Sequence, residues 1–325
     1  MAKRRLSLQQ RRRIGTNRER ALDRLGTDNP DNIGTERAGL VTARYGREAD
    51  VVDPEHPEQP RQRCYLRTHL EPVVGDRVLW QTGGRRGVIT AVAPRRSVLR
   101  RRDNNQVRIL AANIDQVGIV IAPEPEPHAN LVDRFLAAAE LEGMSALILV
   151  NKCDLDSASG QQAVDAICAS YGALGYPVLR VSAHTGAGID ALRARLSGKV
   201  SIFCGQSGVG KSSLINRLFP GTDATVGALS DSGAKGRHTT TTARFYPVPG
   251  GAVIDSPGIR EFGVECPDPQ RLMAGFIELA PLAMQCRFRD CAHREDPGCA
   301  IVAAIQRGEV DPRRLVSFHQ LQTAH

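Results

Sequence analysis

Val200-Ser201-Ile202-Phe203-Cys204, running into Gly205-Gln206-Ser207-Gly208-Val209-Gly210-Lys211-Ser212-Ser213, is the stretch whose reading decides the fold. A short apolar strand enters a full GxxxxGK[ST] match, and a helical pattern leaves it, which is the context that motif requires. Glycines let such a loop wrap phosphate with its amide hydrogens turned inward, and the helix starting near Lys211 adds its positive N-terminal end. Lys211 is expected to reach the β- and γ-phosphates, and Ser212 to ligate Mg²⁺. A chance glycine-rich turn is the bland alternative, and the flanks speak against it.

Upstream, the apolar run Ala146–Val150 is followed by Asn151-Lys152-Cys153-Asp154. A carboxylate at a strand's end accepts two hydrogen bonds from guanine N1 and N2, whereas adenine offers no matching donor pair and leaves the carboxylate unpaired. The aliphatic stem of Lys152 can lie over the base. After Pro177–Val181 come Ser182-Ala183-His184, whose backbone amides can meet the guanine carbonyl. Each string alone is weak, and the first, taken alone, is more often a loop.

Downstream, Ala252–Ile254 leads into Asp255-Ser256-Pro257-Gly258, a DxxG at a strand's carboxyl end. Asp255 is expected to hold Mg²⁺ through water, and the Gly258 amide to meet the γ-phosphate. Between the loop and DxxG lies Lys235-Gly236-Arg237-His238-Thr239-Thr240-Thr241-Thr242, suited to a switch that supplies a threonine to Mg²⁺. Thr240 is the choice, with Thr239 and Thr241 as alternatives. The base-reading strings precede the phosphate loop, the reverse of an ordinary small GTPase, so the α/β unit is circularly permuted. Its parallel strands are expected at Val117–Ala122, Ala146–Val150, Pro177–Val181, Val200–Cys204 and Ala252–Ile254. Helices are expected at Val132–Glu142, Gln161–Tyr171, Ile189–Leu196 and Lys211–Phe219. The permutation also sends the chain from DxxG directly into the C-terminal segment, a route by which nucleotide state would move that segment.

Further out, charge is segregated. Residues 1–110 hold 24 Lys/Arg against 13 Asp/Glu, whereas the remainder hold 19 against 22. Such one-sidedness favours an anionic polymer as partner over a merely solvated arginine surface. Residues 1–35 read as a flexible basic tail. Short β-type runs at Gly39–Tyr45, Ala49–Asp53, Gln62–Arg67, Asp76–Gln81 and Arg86–Val92 suggest a barrel of the oligonucleotide-binding (OB) type, another small barrel being the alternative. Arg44, Arg47, Arg61, Arg63, Arg67, Arg77, Arg85, Arg86, Arg95 and Arg96 would line its surface. No run of 18 apolar residues exists, which excludes a membrane-spanning helix, and Met1–Arg13 lacks the apolar core of a secretory signal. A soluble cytoplasmic protein without membrane partners is expected.

Of eight cysteines, Cys64, Cys153, Cys168, Cys204 and Cys266 read as small buried apolar residues. Cys286, Cys291, His293 and Cys299 instead offer three thiolates and one imidazole, the number and type of a closed tetrahedral Zn²⁺ site with a structural role. Reduced core cysteines are the alternative, the spacing not being that of a CxxC finger. Flanking helices are expected at Pro269–Ala280 and Ile301–Arg307.

With these residues in view, the chain resembles the circularly permuted, ribosome small-subunit-dependent GTPases of bacteria (the RsgA/YjeQ family). The resemblance runs from about Gly39 to the C-terminus. It includes Pro72-Val-Val-Gly-Asp-Arg77, Ala112-Asn-Ile-Asp-Gln116, Asp133-Arg134, the nucleotide strings and the cysteine cluster. It implies a multidomain chain: an OB-type barrel over 36–103, a circularly permuted P-loop α/β GTPase domain over 104–264, and a mainly helical zinc-binding domain over 265–325. It further implies late maturation of the small ribosomal subunit, rRNA contact, and GTP hydrolysis to GDP that the subunit stimulates.

Ile259 stands where Ras-type sites carry a water-orienting glutamine, so slow basal turnover is expected. His238 is the substitute chosen to position water, with RNA contact or mere packing as its alternatives. A monomer is expected. The competing function is a GTP-gated RNA-binding module for another RNA, its hydrolysis incidental.

Overall fold

The computed structural model describes residues 36–54, 56, 59–83, 86–103, 106–155, 158–221, 244–255, 268–294 and 296–323. The basic tail 1–35, Arg85 of the expected barrel surface, the switch residues Lys235, Arg237, His238, Thr239, Thr240 and Thr241, and Gly258, Ile259 and Cys266 lie outside them.

Five strands close the N-terminal barrel: β1 (Glu36–Tyr45), β2 (Glu48–Val52), β3 (Gln62–Leu66), β4 (Arg77–Gly83) and β5 (Arg86–Val92). Their order is β1-β2-β3-β5-β4, with β4 returning to β1 and β3 parallel to β5, which is OB-type closure. Strand alternation sends Val41, Val51, Cys64, Val78, Trp80 and Ile89 inward. The chain's single tryptophan fits because two neighbours lack side chains. A Cβ on Gly39 would stand 2.7 Å from Trp80 Cδ1, and one on Gly87 2.8 Å from Trp80 Cε3.

Next comes a hairpin that the alternation did not suggest, β6 (Val98–Asp103) paired antiparallel with β7 (Gln106–Ala112). It straddles the expected junction at 103/104. Its Leu99 and Ala111 join the core beneath the α/β unit rather than that of the barrel. The physical link between the units is the Pro72–Arg77 turn. The Val74 carbonyl accepts from the Ala112 amide (3.0 Å), and the Gly75 carbonyl accepts from Asn113 Nδ2 (2.9 Å). Asp76, fully buried, accepts from the Val73 amide (2.7 Å) and from Arg95 (2.8 Å twice).

The α/β unit runs β8 (Gln116–Ile121), α1 (Ala129–Leu141), β9 (Ser145–Val150), α2 (Ala158–Ala173), β10 (Val178–Arg180), α3 (Ile189–Leu196), β11 (Val200–Cys204), α4 (Lys211–Leu218), β12 (Arg244–Val248) and β13 (Gly251–Asp255). The sheet order is β10-β9-β8-β11-β13-β12; all neighbours are parallel except the β12–β13 pair. Each central strand splits its residues between two cores. Ile119, Ile148, Ile202 and Ile254 face α1 and α2, whereas Val120, Leu149, Phe203 and Val253 face α3 and α4. This is the covered, parallel architecture expected. Strand β12 was not anticipated: Pro247 lies within it, and a strand carrying proline survives only at an edge, where β12 sits.

The described residues of the C-terminal segment form four helices: α5 (Pro269–Met273), α6 (Leu279–Ala283), α7 (Ala300–Gln306) and α8 (Pro312–Thr323). The single helix expected over Pro269–Ala280 is two. Its break falls at Gly275, where a Cβ would come within 3.0 Å of the Ala137 backbone, so the chain turns where it must touch α1. Leu272, Phe276, Ile301 and Phe318 enter the same core as Phe135 and Leu136 of α1. The C-terminal unit is therefore packed onto the α/β unit through continuous apolar contact. No described helix is long and apolar enough to cross a membrane.

Candidate functional site: a phosphate loop, a base-reading edge and a Cys₃His cluster

The loop after β11 has the backbone that its glycines were read to permit. Gly205 has φ +136° and lies so close to β8 that a Cβ would stand 2.1 Å from the Val120 carbonyl oxygen. Gly210 has φ +92°, and its missing Cβ makes room for Asn151 Nδ2, 2.3 Å from where that atom would be. Lys211 is buried and folds back, its ammonium donating to the Gly205 carbonyl (2.7 Å) and the Gln206 carbonyl (2.6 Å). Ser212 is buried beside it at the first turn of α4, with Ser213 half-buried, Val209 inward, and Ser207 and Gly208 exposed. Asp255 ends β13, the strand next to β11, so Ser212 and Asp255 lie at the carboxyl end of adjacent parallel strands. In open α/β sheets that edge is where ligands sit.

The base-reading strings meet this loop across the sheet edge. Asn151, buried at the end of β9, donates from Nδ2 to the Val209 carbonyl (2.9 Å) and accepts from the Ala183 amide at Oδ1 (3.1 Å). One side chain thus ties the phosphate loop, the Asn151–Asp154 turn and the Ser182–His184 turn into a single body. Sequence reading placed Asn151 at the site but missed this clasp; the signal was an amide, with both donor and acceptor, at the end of an apolar strand. Lys152, at φ +58°, donates from Nζ to the Glu124 carbonyl (2.8 Å). The Cys153 amide donates to the Val181 carbonyl (3.2 Å). Asp154 is exposed, and a hydrogen bond with Ser182 holds its carboxyl below the usual range, so it stays ionised at neutral pH. Ser182 is fully buried and also accepts from the Thr185 amide (3.0 Å).

The C-terminal cluster is compact. The donor atoms of Cys286, Cys291, His293 and Cys299 all lie within 4.8 Å of one another. Cys286 Sγ is 3.9 Å from Cys299 Sγ and 3.5 Å from His293 Nδ1, and Cys299 Sγ is 3.6 Å from that nitrogen. A tetrahedral zinc, with Zn–S about 2.3 Å and Zn–N about 2.0–2.1 Å, has edges of about 3.8 Å between sulfurs and about 3.6 Å from sulfur to nitrogen. The donor set fits a metal of that kind. His293 takes φ +57°, and its ring packs edge-on to Phe318. By contrast, the cysteines read as buried filler divide: Cys64 and Cys204 are buried, whereas Cys153 and Cys168 are only half-buried, because they lie on a turn and on a helix flank.

The arginines expected to line the barrel also divide. Arg47, Arg67 and Arg77 are exposed on it. Arg63 is bound to Asp50 (2.5 Å) and stacked over Tyr45, and Arg86 is paired with Glu48 and stacked over Tyr65. Arg61 spans to the β12 carbonyl of Phe245 (3.1 Å), so part of the positive surface serves the fold.

Comparison with known proteins adds to this geometry. The family model described as RsgA GTPase matches residues 92–265. A protein of Azotobacter vinelandii named small ribosomal subunit biogenesis GTPase RsgA is 50% identical over 296 residues, covering 89% of this chain and 86% of the relative. One of the same name from Pseudomonas syringae pv. tomato is 47% identical over 334 residues, covering 99% and 97%. Among solved structures, YjeQ from Thermotoga maritima superposes with TM-score 0.71 at 32% identity, covering 89% of this chain and 98% of that one. YloQ, described as a circularly permuted GTPase, superposes with TM-score 0.68 at 23% identity and supports the fold.

Proposed function

The chain belongs to the RsgA GTPase family, and from that premise we propose that it docks on the immature small ribosomal subunit as a GTP-bound factor and leaves after hydrolysis. It is a GTP-hydrolysing enzyme of ribosome assembly. The observation that carries the reading is the clasp of Asn151 between the phosphate loop and the Ser182–His184 turn, which brings phosphate and base recognition into one rigid edge.

Within it, residues 205–213 cradle the phosphates, with Lys211 turning from its two carbonyls to the β- and γ-oxygens. Asp154 reads guanine N1 and N2, Lys152 covers the base, and the Ala183 region meets O6. Ser212 and Thr240 would hold Mg²⁺, with Asp255 reaching it through water, and the ion would supply neutralisation of developing phosphate charge. His238 orients the attacking water in place of the side chain that Ile259 does not supply, and Gly258 meets the γ-phosphate. Cys286, Cys291, His293 and Cys299 would hold one structural zinc. The barrel's exposed arginines and residues 1–35 carry rRNA contact.

The direct test is GTP turnover by the full chain with purified small or large subunits. Stimulation by small subunits alone is the expected result; equal subunit affinity with GDP and with a non-hydrolysable analogue overturns the cycle. His238→Ala is expected to lose at least about tenfold of stimulated turnover while keeping subunit affinity. Full turnover in that variant removes His238 from the reaction. If the variant supports maturation without turnover, the protein is a gated RNA-binding module.

Asp154→Asn exchanges an acceptor for a group that donates to one carbonyl. GTP affinity is expected to fall by about a hundredfold or more, and xanthosine triphosphate, with its C2 carbonyl, to be preferred. Competition binding with the two nucleotides checks this; an unchanged preference for guanine removes Asp154 from base reading.

A further inference from the structure

Asp133 lies in mid-helix on α1, and both it and Arg314 of α8 are almost wholly buried. Arg314 Nη1 donates to Asp133 Oδ1 at 2.5 Å. Its other nitrogens hold Glu278 at 2.5 and 3.0 Å. The guanidinium also lies 4.6 Å from the Phe276 ring centroid and 5.6 Å from that of Tyr171. Tyr171 of α2 donates its hydroxyl to the same Asp133 oxygen (2.5 Å) and stands 3.1 Å from the Ala129 carbonyl in the first turn of α1. Asp133 Oδ2 is buried without a hydrogen-bond partner among the described residues, so the carboxylate's side-chain hydrogen bonds come from this guanidinium and this phenol.

The first turn of α1 has a second neighbour. Pro127, His128 and Leu131 face Gly205, Gln206 and Val209 of the phosphate loop across one small cavity. The segment leading to α1 supplies the Glu124 carbonyl that receives Lys152 Nζ. Helix α1 is therefore gripped at one side by the C-terminal unit and bears at its N-terminus on both the phosphate and the base elements. None of these contacts involves the switch.

We propose that Arg314 is a positioning residue for guanine-nucleotide binding: through Asp133 it holds α1, and thereby segment 123–131, against the phosphate loop and Lys152. The packing of the C-terminal unit is then linked to nucleotide affinity through α1. By reciprocity, nucleotide in the loop steadies that packing by the same factor. The inference rests on residues 205–213 being the nucleotide site.

The test is fluorescent-GDP binding by the full chain, without ribosomes, at a temperature where helix content and bound metal match the parent. Arg314→Met is expected to weaken binding by about five- to twentyfold. Arg314→Lys, which keeps the charge at Asp133, is expected to recover much of it. Lys152→Ala should cost less in the Arg314→Met background than alone, because Lys152 has already lost its anchor. An unchanged Kd with a lowered Tm makes Arg314 a structural strut and overturns the proposal. Should Arg314→Met not fold, Tyr171→Phe removes only the hydroxyl that joins Asp133 to the first turn; about threefold weaker binding is expected, and no change overturns the proposal. A parent chain that binds no guanine nucleotide overturns the site reading and this inference with it.

Discussion

Lys211→Ala lowers subunit-stimulated GTP turnover by at least about a hundredfold, the scale on which a preorganised charge at developing phosphate charge acts. The geometry explains why the loss is this large. Lys211 is buried, and its ammonium rests on the carbonyls of Gly205 and Gln206, inside the loop that its target phosphates would enter. The charge is therefore already held at the loop that phosphate would enter. Alanine removes the charge and also frees two carbonyls that the lysine holds inward, so nucleotide affinity falls together with turnover. The measurement is single-turnover hydrolysis with excess small subunits. Undiminished turnover would mean that the loop after β11 is not the phosphate site.

Cys291→Ala releases the metal and loosens the C-terminal unit. Structural zinc contributes about 10–16 kcal/mol in small zinc modules, more than most domains hold in reserve. Here the helices that zinc would pin are short: α5 and α6 have 5 residues each and α7 has 7, below the length at which a helix stands alone in water. Metal analysis of the purified parent is expected to find about one zinc per chain, and the variant close to none. The variant should also lose protection from hydrogen exchange in α7 and α8 before it does so in the central sheet. A zinc-free parent, prepared without chelators, makes the four residues a reduced core cluster.

How far the sequence carried this picture depends on where the determining contacts lie. Strand β11 and the loop after it were legible because their chemistry is local: backbone glycines and one lysine within nine residues. Strand alternation in the barrel and the apolar runs of the sheet were legible for the same reason. The β6–β7 hairpin was not, because its arginine-rich run hides the two residues, Leu99 and Ala111, that face the core. The latch of Arg314 on Asp133 spans 181 positions; the Asp133-Arg134 string and a carboxylate on the apolar side of a helix mark one end of it, and nothing in the sequence marks Arg314 as the other. The break at Gly275 was invisible for a related reason, since it answers to the backbone of α1, far upstream. Of the candidate site, the residues proposed for base and phosphate stood out in the sequence as types and spacings. Their assembly by Asn151 required the fold.

That long reach also bears on synthesis. Helix α1 leaves the ribosome with its apolar side complete, yet Phe276 and Phe318, which share its core, are still to be translated. At bacterial or eukaryotic elongation rates, the 181 positions between Asp133 and Arg314 take about ten to forty seconds. During that interval the nascent α/β unit presents a bare hydrophobic flank and a buried-to-be carboxylate still in water. A chain released before α5 keeps that flank bare, and chaperones hold it or it aggregates. For this fold, the last sixty residues are the cover that the middle of the chain waits for.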